Sequence, residues 1–470
     1  MKKNQKKIYD SLPYPFKILL LNIKGYLNYK ERYTNQFNIF YKEHLNLWNA
    51  TPDTLSEYQK KRLGELLTEA LLYSKWYKQK MKEAGVAYNL IQENPIKALN
   101  RMPILSKTDR KKNTDLIVNT NREITSIGYS SGTSGSPTKN YVDKESINRS
   151  FALWKRFHHA IGLKTKFKQV RFSGRILIDS DKTKPPFWVY NYFEKQLLMS
   201  SYHLKEENIK HYVNKLNKFK PELLDGYPSA IYIISKHINQ NSLPLSFVPK
   251  AIAVTAETLY DYQRLEIEKA FKCAVYNQYA SSEGSPFITE CTKGNLHLNL
   301  DSGIFELITK EGNVAQPGEL AQLVVTSFTN LKTPLIRYNI EDTVILPKKG
   351  IHCNCGCLMP VIEQITGRED DILWTKEKGY VGRMGPAFKG LDNIIKSQII
   401  QPNATEIIVN IIVNSNFSEK EEKQLLNNLK DRLGKNIDYK INKVKNIPLG
   451  ANGKYNTVKR NFKINLEKNK

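Results

Sequence analysis

Cysteine, acidic residues and long apolar runs are all scarce in this chain of 470 residues. It contains five cysteines, all of them between residues 273 and 357. An odd number clustered late argues against a disulfide framework and indicates a reducing compartment. No apolar run approaches the roughly 20 residues that a membrane-spanning helix needs. Because no small-residue cleavage site follows the basic start, we expect no signal peptide and a cytoplasmic, globular protein.

Acidic residues number 46 against 72 lysines and arginines, which leaves a formal net charge of +26. The lysines are scattered along the whole chain, so we favour a generally basic, solvated surface over a groove specific for nucleic acid. Attraction to an acidic ligand such as a nucleotide, or to anionic lipid, stays open. The chain is also too long for one compact core, and two or three domains are expected.

Hydrophobic periodicity predicts an α/β protein built from a large domain and a small one. We expect a helical region over residues 1–87 as part of the large domain. Residues 88–366 are expected to form the core of that domain, with parallel-rich sheets, helices and an antiparallel subdomain. Residues 367–470 are expected to form a small, mobile α+β lid.

Three patterns within the large domain support this division. An apolar strand at residues 251–254, a helix at 259–271 and a second strand at 274–276 predict a parallel βαβ unit. Two further short strands are predicted at residues 170–172 and 176–178. Alternating apolar runs between residues 303 and 326 are typical of antiparallel strands.

The last hundred residues have patterns of their own. A strand is predicted at residues 406–413, and Ser418 with Glu421 forms a capping box at the start of the next helix. Gly434 stands where a helix-ending glycine belongs, and residues 437–441 alternate as a strand. These signals predict the α+β composition of the lid.

The N-terminal region carries a helical stripe of Phe16, Leu20, Ile23 and Leu27 with lysines beside it. A basic amphipathic helix of this kind could lie on a membrane surface. Since such stripes usually face a core, we favour packing against the body of the protein. A second long helix is predicted at residues 58–80.

The stretch from Ser130 to Lys139 is rich in hydroxyl residues and contains two glycines. Glycine lets the backbone approach a bulky anion, while hydroxyls, free amides and a lysine can bind phosphate oxygens. It is not a Walker A sequence, since Pro137 stands five residues past Gly132. A plain flexible Ser/Gly loop is the alternative.

Four other stretches could carry chemistry. In Tyr279–Gly284, which follows a predicted strand, an aromatic ring could stack on a base and a carboxylate could hold Mg²⁺. Asp342 could bind ribose hydroxyls at a strand end. Residues 367–371 suit a hinge, and a turn at residues 448–454 presents a lysine. Each stretch has a plainer alternative. Tyr279–Gly284 could be an ordinary polar loop and Asp342 a surface carboxylate. Residues 367–371 could be a charged linker, and the lysine at 454 could simply be solvated.

Taken in order and spacing, these five stretches resemble the adenylate-forming superfamily of acyl- and aryl-CoA synthetases, adenylation domains and luciferases. The similarity is greatest to the phenylacetate–CoA ligase branch, including the ligase-like proteins encoded in capsule and surface-polysaccharide clusters. In that branch the phosphate loop typically has the sequence Ser-Ser-Gly-Thr-(Thr/Ser)-Gly-x-Pro-Thr, which Ser130–Thr138 match here. Gly226–Ser229, Thr255–Glu257 and Pro103–Lys107 are also similar to it. The resemblance extends from about residue 55 to residue 460.

The resemblance implies ATP and Mg²⁺ as cofactors, a small carboxylic acid as substrate, and coenzyme A as acceptor. It implies that the β- and γ-phosphates lie against Ser131, Gly132, Thr133, Ser134, Gly135 and Lys139. Tyr279 would pack against adenine, Ser282 would meet the α-phosphate, and Glu283 would hold Mg²⁺. Asp342 and Arg368 would grip the ribose, Asp370 would be the hinge, and Lys454 would bridge the attacking carboxylate and the α-phosphate. Two positions depart from the branch, because Ala280 replaces its usual glycine and Glu341 its glycine or basic residue.

A metal site is the last candidate. Cys353, Cys355 and Cys357, with Cys291 and His297 upstream, offer more ligands than a tetrahedral Zn²⁺ needs, and buried free thiols are the alternative. The resemblance favours Cys291, His297, Cys353 and Cys355 as the ligands of a structural Zn²⁺, with Cys357 where that branch often has arginine. Cys273 is expected in the core.

The sequence as a whole therefore predicts an AMP-forming acid ligase that transfers its acyl group to coenzyme A. Transfer to an amine, as in surface-polysaccharide biosynthesis, is a rival within the same chemistry. A catalytically silent protein that binds membranes peripherally, or nucleic acid through its charge, is a rival of another class.

Overall fold

A mixed β-sheet forms the centre of the molecule, with helices on both faces. The computed structural model describes residues 12–129, 138–164, 166–173, 178, 182–351, 353–368, 373–377, 379–381, 384–388, 391, 393–448 and 456–462. Its helices are α1 Tyr14–Arg32, α2 Asn35–Trp48, α3 Pro52–Tyr73, α4 Lys75–Glu83, α5 Tyr88–Glu93, α6 Pro95–Arg101, α7 Lys107–Lys112, α8 Thr114–Ile117, α9 Lys144–Ala160, α10 Glu206–Phe219, α11 Pro228–Gln240, α12 Asp261–Phe271 and α13 Glu419–Leu433.

The strands are short and run through the whole of the described chain. They are β1 Ser126–Tyr129, β2 Lys139–Val142, β3 Gln169–Ser173, β4 Trp188–Asn191, β5 Gln196–Ser200, β6 Leu223–Gly226, β7 Ala251–Thr255, β8 Val275–Tyr279, β9 Ile288–Glu290, β10 Leu296–Leu298, β11 Gly303–Ile308, β12 Leu320–Ser327, β13 Tyr338–Ile345, β14 Val361–Ile362, β15 Gln364–Arg368, β16 Leu373–Thr375, β17 Gly379–Val381, β18 Ile394–Asn403, β19 Glu406–Val413, β20 Asp438–Lys443 and β21 Val458–Arg460.

The central sheet has, among the described residues, the strand order β14-β10-β9-β8-β7-β6-β3-β5-β4. Its middle is parallel, from β5 through β3, β6 and β7 to β8. Strands β6 and β7 are buried along their whole length, as expected of strands covered on both faces. The βαβ unit predicted from β7, α12 and β8 is confirmed. The strand predicted at residues 170–172 is confirmed as β3, whereas most of the one at 176–178 lies outside the described residues.

A second, antiparallel sheet of β11, β12, β13 and β15 packs beside the first, as the alternating runs predict. The third large sheet has the order β20-β19-β18-β21 and lies in the C-terminal part. Helix α13 packs on it and closes a hydrophobic cluster of its own. The capping box at Ser418 and Glu421 is confirmed, as is the strand at residues 406–413. The division of the chain at residue 367 stays a prediction.

The N-terminal region differs from the sequence predictions in two ways. The helix predicted at residues 58–80 is two helices, α3 and α4. They are divided at Ser74, whose hydroxyl accepts the amide hydrogen of Tyr77 and so caps α4. The apolar stripe of α1 does not pack against the body, because Phe16, Ile23 and Leu27 are each at least half exposed. Among the described helices, none is long and apolar enough to cross a lipid bilayer.

Candidate active site and metal centre

The hydroxyl-rich loop joins β1 to β2, which pair from Ser126 opposite Val142 to Tyr129 opposite Lys139. Residues 130–137 lie outside the described residues, and with them five of the residues predicted to cradle phosphate. Those five are Ser131, Gly132, Thr133, Ser134 and Gly135. Lys139, the sixth, is exposed and begins β2. The hairpin thus fixes the two points between which this stretch runs.

Asn140 links this hairpin to the loop that follows β8. Its amide group donates a hydrogen bond to the carbonyl oxygen of Ser282, at 3.1 Å. Its Oδ1 accepts hydrogen bonds from Arg110, at 2.9 Å, and from Asn330, at 3.0 Å. Asn140 is buried, so these bonds are shielded from water and hold the two predicted nucleotide-binding stretches side by side.

Tyr279 and Asp342 meet although 63 residues separate them in the chain. The tyrosine hydroxyl donates to Oδ2 of Asp342 at 2.6 Å, a distance typical of a hydrogen bond to a charged acceptor. Burial raises the pKa of Tyr279 well above its usual value, with the Asp342 charge adding to the shift. The phenol therefore remains a donor at neutral pH, and it fixes the orientation of the Asp342 carboxylate.

Glu283 is a buried carboxylate in the same loop, and only 5% of it is exposed. Its Oε2 accepts a hydrogen bond from the Ser282 hydroxyl at 3.1 Å. Gly284 follows with a φ of +85°, where an added Cβ would lie 2.8 Å from Cβ of Asn330. The loop is therefore tightly packed against Asn330 at Gly284. The hydroxyl of Ser282 and the carboxylate of Glu283 remain hydrogen-bonded to each other.

The structure tolerates both residues that differ from the resembled family, Ala280 and Glu341. Ala280 does not adopt a positive φ, so glycine is not required there. Glu341 has a φ of +64°, in the left-handed region that favours glycine. Its carboxylate forms an ion pair with Lys107 at 2.9 Å, which ties the Pro103–Lys107 stretch to the strand that carries Asp342.

Three predicted residues remain without a described side chain. The backbone of Arg368 pairs with Asp342 across strands β15 and β13, but its side chain is outside the described residues. Asp370 and Lys454 lie outside them entirely. The roles of all three stay predictions.

The metal-ligand candidates come together from two distant segments. Cys291, His297, Cys353 and Cys355 place one ligand atom each within 4.8 Å of all the others. The two sulfurs of Cys291 and Cys353 are 3.6 Å apart, and Sγ of Cys355 is 3.4 Å from Nε2 of His297. Ligands at zinc bond lengths in a tetrahedron lie about 3.5–3.8 Å from one another, and these two distances are close to that range.

Neighbouring groups orient the ligands in the way that metal sites require. Nδ1 of His297 lies 2.8 Å from the carbonyl oxygen of Met359, so this nitrogen donates and Nε2 is left to face the cysteines. The amide of Asn295 donates to the sulfur of Cys353 at 3.1 Å. The indole of Trp48 packs edge-on against the His297 ring.

The two remaining cysteines lie outside this cluster. Cys357 is buried against Leu47, Leu55 and Met359, and so packs as a core residue. Cys273 is half-buried at the margin of another cluster. All five cysteines are among the described residues, and all five are free.

Sequence reasoning missed Arg110 and Lys396. Arg110 is 1% exposed and lies over the Tyr338 ring beside Asn140; its place one turn after the Pro103–Lys107 stretch is the signal that could have revealed it. Lys396, on β18, lines a cavity of about 60 Å³ between α11 and the C-terminal strands. Burial lowers the pKa of Lys396, and the charge of Glu257 opposes that shift.

The C-terminal strands contact helix α11 and the start of α12 beside this cavity. The ammonium group of Lys236 donates to the carbonyl oxygen of Ile394 at 2.5 Å, and the hydroxyls of Tyr260 and Thr457 are also 2.5 Å apart. Pockets that hold small organic ligands are usually about 300 Å³ or larger. The cavity is therefore too small for such a ligand unless the C-terminal strands move away.

Comparison with known proteins adds independent findings. A family model described as the CapK C-terminal domain matches residues 373–461. Protein CapK of Staphylococcus aureus is 35% identical over 461 residues, which cover 97% of this chain and 99% of CapK. Phenylacetate-coenzyme A ligase of Pseudomonas putida is 25% identical over 335 residues, 69% of this chain and 73% of the ligase. Indoleacetate–lysine synthetase of Pseudomonas savastanoi is 28% identical over 144 residues, 30% of this chain and 34% of the synthetase.

The same architecture occurs among solved structures. A 2-hydroxyisobutyryl-CoA ligase in its postadenylation state, in complex with R3-HIB-AMP, superposes with a TM-score of 0.66 at 16% identity. The match covers 85% of this chain and 88% of that one. At this identity the likeness establishes the fold, which is that of an adenylate-forming CoA ligase.

Proposed function

The chain belongs to the CapK family, within the phenylacetate–CoA ligase-like branch of the adenylate-forming superfamily, and from this premise we propose that it activates a carboxylic acid as an acyl-adenylate. The carboxylate of the acid attacks the α-phosphorus of ATP, the bond to the β-phosphate breaks, and pyrophosphate leaves. The observation that supports this best is the 2.6 Å hydrogen bond between Tyr279 and Asp342. Together with the contact of Asn140 with Ser282, it places three distant stretches next to one another.

The residues of these stretches suit the electrostatics of the reaction. A carboxylate that approaches a phosphate meets like-charge repulsion, so positive charge must be supplied as the transition state forms. We propose that Lys139 and Lys454 supply it to the phosphates and to the attacking oxygen. Asp342 would accept hydrogen bonds from the ribose, held in position by the Tyr279 hydroxyl.

Glu283 fits the role of a magnesium ligand. Mg²⁺ in nucleotide sites is usually bound by one or two carboxylates together with phosphate oxygens and water. The proposal is supported by the position of Glu283, which is buried beside Ser282, the proposed partner of the α-phosphate. When bound, the ion would neutralise charge that develops on pyrophosphate.

We propose a structural Zn²⁺ at Cys291, His297, Cys353 and Cys355. The support is the mixed sulfur and nitrogen donor set, the grouping of its four ligand atoms within 4.8 Å and the backbone carbonyl that orients His297. Such an ion would join the segment after β9 to the segment before β14. Its proposed role is to hold these strands, not to take part in the reaction.

We propose coenzyme A as the acyl acceptor, as for the relative named phenylacetate-coenzyme A ligase. An amine acceptor is the second candidate, and the similarity to a protein named indoleacetate–lysine synthetase favours it. For either acceptor the small cavity at Lys396 suggests that the C-terminal part moves as a lid, with a hinge at Asp370. The two candidates differ in product, a thioester or an amide.

One experiment tests the activity and the acceptor together. Purified protein with ATP and Mg²⁺ would be given a panel of aryl, fatty, amino and sugar acids, with and without coenzyme A or amines. We expect pyrophosphate release with one acid class, and mass spectrometry then identifies a thioester or an amide. Lys454→Ala should abolish release, whereas Lys459→Ala, an exposed lysine on β21, should not. Release that is absent with every acid would reject the proposal in favour of a catalytically silent binding protein. Equal release in both variants would reject the role of Lys454.

A further inference from the structure

Helix α1 lies on the edge strand β4 through its polar side. The Tyr14 hydroxyl donates to the carbonyl oxygen of Trp188 at 2.7 Å, and the Asn22 amide donates to that of Tyr190 at 2.9 Å. Gly25 is the buried residue of the helix, and a Cβ there would lie 2.6 Å from the side chain of Asn191. The orientation of the helix is thus fixed by polar bonds and a close approach of backbone.

The opposite side of α1 presents large apolar side chains to solvent. At 100° per residue they fall on an arc about 100° wide, centred away from Tyr14 and Asn22. Each is between 46% and 56% exposed. We call this the α1 apolar face; it consists of Phe16, Leu19, Leu20, Ile23 and Leu27.

The turn between β4 and β5 extends the α1 apolar face. Tyr192 is 66% exposed and Phe193 is 43% exposed. The Phe193 ring lies 5.0 Å from that of Tyr26, which projects from the margin of the face. Aromatic residues at the border of an apolar surface are typical of the interface between lipid headgroups and acyl chains.

The surroundings of the α1 apolar face are basic. Lys24 and Lys30 are exposed on the helix, and no acidic residue occurs in the sequence from Tyr14 to Lys30. Lys182 lies with its ammonium group 5.0 Å over the Tyr14 ring.

From the apolar face and its basic surroundings, we propose that α1 docks this protein on an anionic lipid bilayer. The helix would lie in the plane of the membrane, with its apolar side among the upper acyl chains and its lysines against lipid phosphates. Docking on a second copy of the chain is disfavoured, because a symmetric contact would bring these lysines against their counterparts. This surface is independent of the proposed adenylation site, and so is its test.

The full-length protein should cosediment with vesicles of phosphatidylcholine that contain about 30% phosphatidylglycerol, and much less with phosphatidylcholine alone. Leu20→Glu/Ile23→Glu should weaken this binding about tenfold or more. The matched control is Leu265→Glu/Val314→Glu, which makes the same charge change at side chains that are 67% and 75% exposed on α12 and near β11; its binding should equal that of the wild type.

A second variant pair keeps the apolar face intact. Lys24→Gln/Lys30→Gln should lower binding to the anionic vesicles about tenfold at low salt, with an unchanged circular dichroism spectrum. Equal binding of the wild type to both kinds of vesicle, or binding that neither variant weakens, would overturn the proposal. A wild-type dimer in sedimentation velocity that Leu20→Glu/Ile23→Glu dissociates would also overturn the proposal. The α1 apolar face would then join two copies of the chain.

Discussion

Replacing Tyr279 with phenylalanine removes one hydroxyl and keeps the ring, which packs at the margin of the largest hydrophobic cluster. The lost hydrogen bond is short and ends on the Asp342 carboxylate. Bonds to charged groups contribute about 1.5–3 kcal/mol. Since Asp342 is half-buried, water can replace part of the interaction, and we expect the lower figure of about 1.5 kcal/mol.

The expected loss should be visible in two measurements. The free energy of unfolding, from urea titration, should fall by about 1.5 kcal/mol. If Asp342 binds the ribose as proposed, the affinity for ATP, from isothermal titration calorimetry, should fall about tenfold, because 1.4 kcal/mol corresponds to a factor of ten. Tyr88→Phe is the matched control, since Tyr88 is 50% exposed on α5; its effect should stay within about 0.5 kcal/mol.

A double-mutant cycle with Asp342→Asn separates the bond from other effects of each substitution. We expect the two substitutions to be non-additive by about 1 kcal/mol or more, because one removes the donor and the other replaces the charged acceptor of the same bond with a neutral one. Additive effects, or a Tyr279→Phe variant as stable as Tyr88→Phe, would refute the claim that this bond positions the carboxylate. Loss of stability with unchanged ATP affinity would retain the bond and reject the ribose role.

Three further predictions concern the metal centre, a buried histidine and a glycine. His297→Ala should lower the zinc content from about one ion per chain to near zero, by atomic emission, and should lower the unfolding midpoint. Burial lowers the pKa of His158 from its usual 6.5 to about 3, so between these values only the unfolded chain binds the proton. Stability should therefore fall with falling pH by about 1.4 kcal/mol per pH unit, a slope that His158→Gln should lack. Gly226→Ala should cost about 3 kcal/mol or more, because its Cβ would lie 1.9 Å from the Phe172 carbonyl oxygen at a φ of +133°. Gly64→Ala, with open space around it on α3, should instead stabilise the protein by about 0.5–1 kcal/mol.

Each of these has a contrary result. Full zinc content in His297→Ala would place the ion elsewhere. Stability curves with the same slope below pH 6.5 for the wild type and His158→Gln would mean that the imidazole is accessible to protons. Equal unfolding midpoints for the two alanine variants of glycine would contradict the close approach of β6 to β3 at Gly226.

Local patterns determined much of the architecture. The βαβ unit around α12 and the capped helix after Ser418 could be predicted because periodicity and capping depend on residues within a few positions of each other. The amphipathic stripe of α1 was equally visible, but the prediction that it packs on the body was wrong. Periodicity reveals that an apolar face exists, whereas the elements around it decide what it faces.

The tertiary structure decided which distant residues meet. Asn140 has no distinguishing signal in the sequence, yet it joins the hairpin to Ser282 across 142 residues. Likewise, spacing alone left five ligand candidates, and folding grouped Cys291 and His297 with Cys353 and Cys355 while Cys357 entered the core. Which distant residues come into contact depends on how whole strands and helices pack. A local sequence pattern does not contain that information.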